Sequence, residues 1–329
     1  MASVTHAAVL QELQKPEALA LVVTCALVGV LTLAKVTFAA LGASYRLFLR
    51  QGKSLRRYGE WAVVTGCTDG IGKATAVELA KKKFKLVLIG RSPDKLAELG
   101  AELSSFNTET KVIVADLAAA DDKTYDSIGT QLAPLDVGML WCCAGLSYPH
   151  AKFFHETDAA LCDDLLNVNC VAPTRLAACV LPGMIERKRG AIIITGSGAG
   201  TVLPSDPLYA VYAGTKAYVE KFAHALNVEY AGKGIDVQLQ APLFVATKMA
   251  KIRKPRLDAP SPKVYAKASL ACVGYDAVCT PYWVHSLMWG AVAMLPVGLA
   301  NSIRLGQSLG IRKRALKKLA AKAAEGKKQ

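Results

Sequence analysis

A glycine-rich turn, Thr65-Gly66-Cys67-Thr68-Asp69-Gly70-Ile71-Gly72, stands between a short apolar run, Trp61 to Val64, and a helical pattern that begins near Ile71 and runs on through Lys81. Glycine lets the backbone turn sharply and approach a ligand closely, and the first N–H groups of the helix have no partner within it. Such a junction is a cradle for a pyrophosphate, which makes Gly66, Thr68, Asp69, Gly70, Ile71 and Gly72 candidates for dinucleotide binding. Two further apolar runs follow, Leu86-Val87-Leu88-Ile89 and Val112-Ile113-Val114-Ala115. Runs of this length, separated by helical patterns, predict a Rossmann-type α/β fold: a doubly wound parallel sheet of about seven strands with right-handed crossovers.

The second run ends in Gly90-Arg91-Ser92, about 20 residues past the glycines, where this fold chooses its cofactor. An acidic side chain there would bind a ribose 2′-hydroxyl and repel a 2′-phosphate. Arg91 does the opposite, and Lys73 beside the turn adds positive charge, so the expected cofactor is NADPH. The alternative is that Arg91 merely opens the next loop. Asp116 closes the third run, where a carboxylate would meet the adenine.

Farther along comes Tyr212-Ala-Gly-Thr-Lys216. A ketone that accepts hydride needs a proton at its oxygen, so a general acid must lie within hydrogen-bond reach of the carbonyl. A phenol, with a pKa near 10, releases its proton reluctantly. One helical turn places Lys216 on the same face as Tyr212, where an ammonium would lower the phenol and hold a cofactor ribose. The spacing alone is not specific, because Tyr148-Pro-His-Ala-Lys152 matches it too, although Pro149 interrupts that copy.

With these motifs in order, the chain from about Glu60 to Met249 resembles the short-chain dehydrogenases/reductases. The resemblance implies that Tyr212 and Lys216 are the catalytic pair and that Ser197, in Ile194-Thr-Gly-Ser-Gly-Ala-Gly200, orients the substrate. It further implies that Asn169 holds a bent helix and a water that reprotonates the lysine. Thr247, after Pro242, would contact the nicotinamide carboxamide, and Ala144 and Gly145 would form part of the cofactor floor. Three departures stand out. Cys142-Cys143 replace the family's asparagines, which puts cofactor affinity in doubt. Leu243 follows Pro242 where glycine is usual, and the gap from Ser197 to Tyr212 is wider than typical.

Around this core the composition turns apolar: 52% of 329 residues are hydrophobic, and the mean hydropathy is positive. Behind a lead of residues 1–17, a stretch spanning 18–43 carries only Lys35, long enough for a transmembrane anchor. A cleaved signal peptide fits less well, since Glu12 and Glu17 precede the stretch and no basic region opens the chain. The linker 44–59 holds Arg46, Arg50, Lys53, Arg56 and Arg57 against Lys15 on the other side, which orients the reductase domain, 60–250, toward the cytosol. Nine cysteines without paired spacing then read as reduced thiols, with no metal site.

Residues 251–281 are expected to form a substrate lid and linker, and 282–303 an apolar membrane-associated segment. The basic tail 304–329 holds nine Lys or Arg against Glu325, a large part of the net charge of +14. Such a tail belongs beside the cytosolic leaflet. Nucleic-acid binding is disfavoured because no aromatic platform accompanies it. Lys248, Lys251, Arg253, Lys254 and Arg256 are either a solvated face near lipid headgroups or a site for acyl-CoA phosphates. The ending Gly326-Lys327-Lys328-Gln329 has a dilysine character.

The anchor, Leu181-Pro-Gly-Met, the string Phe244 to Pro255, Ser261-Pro262 and Thr280-Pro-Tyr-Trp together resemble one branch of the family, the membrane-bound very-long-chain 3-oxoacyl-CoA reductases, close to the 17β-hydroxysteroid dehydrogenase type 12 group. That resemblance implies NADPH-dependent reduction of 3-oxoacyl-CoA to 3-hydroxyacyl-CoA at the endoplasmic reticulum membrane. Its implied partners are the elongase condensing enzyme, the 3-hydroxyacyl-CoA dehydratase and the enoyl-CoA reductase. Two alternatives remain at this level: a hydroxysteroid dehydrogenase, and a non-catalytic elongase subunit that has lost cofactor binding through Cys142-Cys143.

Overall fold

The computed structural model describes residues 15–326. Most of the lead and the terminal lysines Lys327 and Lys328 lie outside them. The chain divides into two units, 1–51 and 52–329.

The first unit is a single long helix, α1 (Pro16–Ser44), continued by a π-helical turn at Tyr45–Leu49. Proline at its first position and Glu17 in its first turn suit a helix start. No residue of α1 is buried. Its 29 residues, at 1.5 Å each, span about 43 Å, more than the ~30 Å hydrocarbon core of a bilayer. The helix is thus a candidate membrane span.

The second unit is built on a seven-stranded parallel sheet in the order β3-β2-β1-β4-β5-β6-β7. In chain order its first half runs β1 (Trp61–Thr65), α2 (Gly70–Lys81), β2 (Lys85–Gly90), α3 (Pro93–Ser104), β3 (Thr110–Val114), α4 (Asp122–Leu132) and β4 (Val137–Cys142). The second half runs α5 (Ala159–Leu166), a π-helical turn (Asn167–Val171), α6 (Ala172–Arg187), β5 (Gly190–Thr195), the short α7 (Gly198–Thr201), α8 (Ala210–Tyr230) and β6 (Ile235–Gln240). It closes with α9 (Pro262–Cys272), β7 (Val278–Cys279), α10 (Trp283–Ala293) and α11 (Val297–Gly326).

Helices cover both faces of the central strands, so β1, β2, β4 and β5 are largely apolar instead of alternating, whereas the edge strand β3 leaves Val112 and Val114 exposed and β6 buries Gln238 and Gln240. Val63, Val87, Leu140, Ile192 and Val237 face one core, with Leu176, Val180, Val219 and Ala223 from α6 and α8. Val64, Leu86, Leu88, Trp141 and Ile193 face the other, with Leu79, Leu96, Leu99 and Leu270 from α2, α3 and α9. Each such side chain, fully buried, contributes roughly 1.5–3 kcal/mol. Asp69, Asp121 and Asp158 cap α2, α4 and α5 by accepting backbone N–H groups, which explains why these helices start where they do.

The C-terminal third differs from the sequence expectation. Residues 251–281, read as lid and linker, also supply α9 and the sheet's last strand, β7, which pairs with β6. The apolar stretch 282–303 is not one segment: it breaks at Met294-Leu295-Pro296 into α10 and the start of α11. Tyr282, His285 and Ala300 are buried in the body, whereas Leu287, Met294, Leu295, Val297 and Leu299 are exposed. The basic tail is helical as far as Gly326, the last described residue, and it is tied down where it begins: Arg304 pairs with Asp206 at 2.6 Å and Arg312 bonds Glu156 through two guanidinium nitrogens.

Candidate active site

The strand order reverses between β1 and β4, and the crevice past their carboxyl ends is where this class of sheet binds ligands. The glycine turn leaves β1 there, beside Ala144 and Gly145 at the end of β4. Gly66 has φ +60°, and a Cβ on it would lie 2.7 Å from the backbone Cα and N of Ala144. A Cβ on Gly72 would meet the Gly66 carbonyl at 2.3 Å. Strand end, turn and helix start therefore touch through bare backbone, which leaves the α2 N-terminus open to a phosphate. A Cβ on Gly70, at φ +55°, would lie 3.2 Å from the Thr247 methyl, so the segment after β6 passes close over the turn.

The floor of this crevice shows what Cys142-Cys143 do in place of asparagine. The Ala144 N–H donates to Thr65 Oγ1 at 3.0 Å, joining β4 to β1. Cys143 Sγ lies 3.2 Å from Thr195 Oγ1, joining β4 to β5. Both thiols are lifted by burial, Cys143 to about 11, so they stay neutral. The end of β4 is thus tied to both neighbouring strands, to β1 through the Ala144 backbone and to β5 through the Cys143 thiol.

Tyr212 and Lys216 lie one turn apart on α8, and Ser197 caps α7 just beyond β5. Lys216 is 5% exposed, its Nζ donates to the Thr195 carbonyl at 3.0 Å, and it has no carboxylate partner among the described residues. Burial lowers its pKa to about 8. Its Nζ is 5.9 Å from the centre of the Tyr212 ring. The expected depression of the phenol is not what the site produces: burial raises Tyr212, a hydrogen bond with Ser197 pulls it partly back, and the Asp206 carboxylate pushes it up. In this arrangement Tyr212 keeps its proton near neutrality, as an acid poised to give it away must.

Asn169 is 2% exposed and sits in the π-helical turn between α5 and α6. Its amide donates to the Leu146 carbonyl and to Thr215 Oγ1, each at 3.0 Å, and accepts the Leu146 N–H at 2.9 Å. One side chain so links the β4 loop to the residue before Lys216. A Cβ on Gly145 would lie 3.6 Å from Asn169 Oδ1 and 3.7 Å from Lys216 Nζ, which places Gly145 against both.

Other predicted residues stand farther out. Arg91 emerges exposed from the end of β2, and Asp116 is exposed after β3, accepting the Ala118 N–H. A recess of about 260 Å³ beside the glycine turn is lined by Thr68, Asp69, Lys73, Lys95, Glu98, Leu99 and Lys248. Arg91 is not part of that lining. Lys73 is committed to Glu102 at 2.8 Å and Lys248 to Asp69 at 3.2 Å, so neither is a bare positive charge. Sequence reasoning missed Lys95, and it set Tyr148 aside as part of an interrupted motif. Tyr148 is in fact buried, its hydroxyl accepts the Val211 N–H at 3.3 Å, and its ring packs edge-on to Tyr209, steadying the start of α8.

Glycine cradle, buried lysine and a tyrosine beside a serine on one crevice are the parts of a nicotinamide-dependent ketone reductase. The family model for short chain dehydrogenases matches residues 60–257, and the chain belongs to that family of oxidoreductases. It is 42% identical over 294 residues to a very-long-chain 3-oxoacyl-CoA reductase-like protein of Arabidopsis thaliana, covering 88% of this chain and 94% of the relative. It is 40% identical over 298 residues to the very-long-chain 3-oxoacyl-CoA reductase of Homo sapiens, covering 86% and 93%. Among solved structures, a short-chain dehydrogenase of Sphingobium yanoikuyae in complex with NADPH aligns with TM-score 0.60 at 26% identity over 72% of this chain and 97% of the other. A 7beta-hydroxysteroid dehydrogenase, at 23% identity and TM-score 0.68 over 76% and 98%, shares the fold.

Proposed function

We propose that this protein reduces very-long-chain 3-oxoacyl-CoA to 3-hydroxyacyl-CoA with NADPH, at the endoplasmic reticulum membrane and on its cytosolic side. The observation that carries the chemistry is the buried, carboxylate-free Lys216 one helical turn from Tyr212, with Ser197 beside the tyrosine. The glycine turn with Thr68, Asp69 and Ile71 would hold the cofactor's phosphates, Arg91 its 2′-phosphate, Asp116 its adenine, and Ala144, Gly145 and Thr247 its nicotinamide half. Bound there, NADPH supplies the hydride. Ser197 donates to the substrate carbonyl oxygen and fixes its direction. Tyr212 gives its proton to that oxygen as negative charge develops, and protonated Lys216 stabilises the phenolate left behind. Asn169 keeps the lysine end of α8 in register with the β4 loop.

The substrate class rests on the relatives' names and on charge. Lys251, Arg253 and Lys254 are exposed without a carboxylate partner among the described residues, whereas Lys248 and Arg256 are held by Asp69 and Asp258. Lys251 donates to the Pro149 carbonyl, which brings it beside His150, while the nearby Lys152 and Arg312 are held by Asp158 and Glu156. This rim suits the phosphates of coenzyme A. The exposed apolar residues of α10 and early α11 suit a lipid surface, and the condensing enzyme, dehydratase and enoyl-CoA reductase of elongation are the partners such a product requires. The test is product analysis: detergent-solubilised protein, NADPH and a long-chain 3-oxoacyl-CoA should yield the 3-hydroxyacyl-CoA. The pantetheine thioester of the same acid should show a higher KM at similar kcat. Turnover of a ketosteroid but not of the thioesters would refute the substrate assignment.

A further inference from the structure

The segment that closes over the glycine turn has little regular structure of its own. It leaves the sheet after β6, carries Thr247 against Gly70 and Lys248 against Asp69, and returns at Asp258 to begin α9 behind Ser261. Within it, the Ala246 N–H donates to the Pro260 carbonyl at 2.9 Å, and Arg256 pairs with Ala259 in an isolated bridge. The segment is further held by turn bonds between Thr247 and Ile252, the Lys248 to Asp69 pair and the Lys251 bond to Pro149, and a loop with so few ties opens more readily than the sheet.

One buried side chain from α10 joins both of its ends. His285 has no exposed surface. Its Nδ1 accepts the Leu243 N–H at 3.3 Å, while its Nε2 lies 3.0 Å from the Phe244 carbonyl and 3.2 Å from the Asp258 carbonyl. The partners fix the tautomer. A backbone N–H needs a lone pair on Nδ1, and two carbonyls need the proton on Nε2, so the ring is neutral and fully used. Burial, the largest influence on this ring, holds its pKa below the ordinary histidine value. Tyr282 packs edge-on at 5.1 Å and Tyr265 lies at 6.1 Å. These tyrosines and Val245 form a small core against which Ile71, at the start of α2, also packs. The imidazole therefore sits where the loop's two ends, α10 and the start of the cofactor helix come together.

We infer that His285 is a positioning residue for the cofactor: by stapling Leu243 and Phe244 to Asp258, it holds Thr247 over the glycine turn. This rests on the reading that a nicotinamide cofactor binds at that turn. It also gives the stretch read from sequence as membrane-associated a task inside the active site. An ordinary core histidine would be replaceable by an apolar ring at a cost in stability alone. A staple loses its effect on the cofactor whenever its hydrogen bonds are removed, even if the volume is kept.

The experiment compares full-length wild type, His285→Phe, His285→Asn, His285→Gln, Thr247→Ala and the double variant His285→Phe/Thr247→Ala in detergent. NADPH affinity is read from cofactor fluorescence. Phenylalanine keeps the ring and loses the bonds, so NADPH should bind about tenfold more weakly; glutamine, with one donor and one acceptor, should recover most of that loss. The double variant should be no weaker than His285→Phe alone, because both changes remove the same contact. Trypsin gives an independent reading, and His285→Asn, whose shorter side chain cannot reach Leu243, Phe244 and Asp258 together, carries it if the phenylalanine variant fails to fold. Cleavage after Lys248, Lys251, Arg253 and Arg256 should speed up when the staple is weakened and slow again with NADPH. Unchanged affinity and unchanged cleavage in the variants, or losses that multiply in the double variant, would overturn the inference while leaving the reductase reading intact. A wild-type chain that binds no NADPH would overturn both.

Discussion

Gly66 and Gly70 share a turn and a left-handed backbone, yet the geometry gives them unequal tolerance to a methyl group. Replacing either by alanine costs ~1–2 kcal/mol for the positive φ alone. At Gly70 the added Cβ meets only the Thr247 methyl at 3.2 Å, a side-chain group that gives way, so Gly70→Ala should cost little beyond that. At Gly66 the Cβ lies 2.7 Å from two backbone atoms of Ala144, well inside the ~3.5–4.0 Å of an ordinary carbon contact. Relief requires moving the end of β4, which stretches the Ala144 to Thr65 hydrogen bond and adds about 1–2 kcal/mol. Gly66→Ala should therefore cost roughly 2–4 kcal/mol in all. At roughly 2–4 °C per kcal/mol that is a Tm lowered by about 4–16 °C, against about 2–8 °C for Gly70→Ala. Thermal unfolding of the full chain in detergent, followed by tryptophan fluorescence, reads both. NADPH titration should show the larger loss for Gly66→Ala. Equal effects, or a milder one at Gly66, would refute the backbone-contact argument.

Three further outcomes follow from the same geometry. Lys216 must carry its proton to support Tyr212, and its pKa is lowered to about 8, so kcat/KM should be full below that value and fall as pH rises through it. Tyr212 is raised and stays protonated over the same range; Lys216→Arg should move the falling limb upward, and an unmoved limb assigns it elsewhere. Arg91→Ala should raise KM for NADPH about 10- to 100-fold with little change for NADH, as loss of charge-assisted bonds to a phosphate implies; parallel changes for both cofactors would remove Arg91 from the 2′-phosphate. Arg304→Met strands the buried Asp206 carboxylate and should cost ~3 kcal/mol or more by chemical denaturation, with Asp206→Asn on top recovering most of it; an additive further loss would show the pair is not coupled.

The parts legible in the sequence were those whose signal is local. The runs at Trp61, Leu86 and Val112 are strands because they are apolar on both faces, and the glycines announce the turn because no other residue fits it. Tyr212 and Lys216 sit where one helical turn puts them. What escaped was set by tertiary contacts. β7 has two residues, too few for any periodicity, and exists because β6 offers an edge. Tyr282 and Ala300 lie in an apolar run that a hydropathy reading gives to the membrane, since burial in protein and burial in lipid both select apolar side chains; His285, which interrupts that run, is buried through its bonds to Leu243, Phe244 and Asp258. Lys73 read as free charge because Glu102, its partner, lies a helix away. The Cys143 contact with Thr195 joins β4 to β5 through a strand neighbour that no spacing reveals.

The central claim is a ketone reductase whose proton comes from Tyr212, and it is tested most directly by one assay. NADPH oxidation with a long-chain 3-oxoacyl-CoA is followed for the wild type and Tyr212→Phe, each shown by fluorescence to bind NADPH. The account predicts turnover in the wild type, and a loss of about 10²- to 10⁴-fold in kcat for the phenylalanine variant with NADPH binding retained. Turnover that survives Tyr212→Phe, or a wild type that binds NADPH and reduces no 3-oxoacyl thioester, would contradict it.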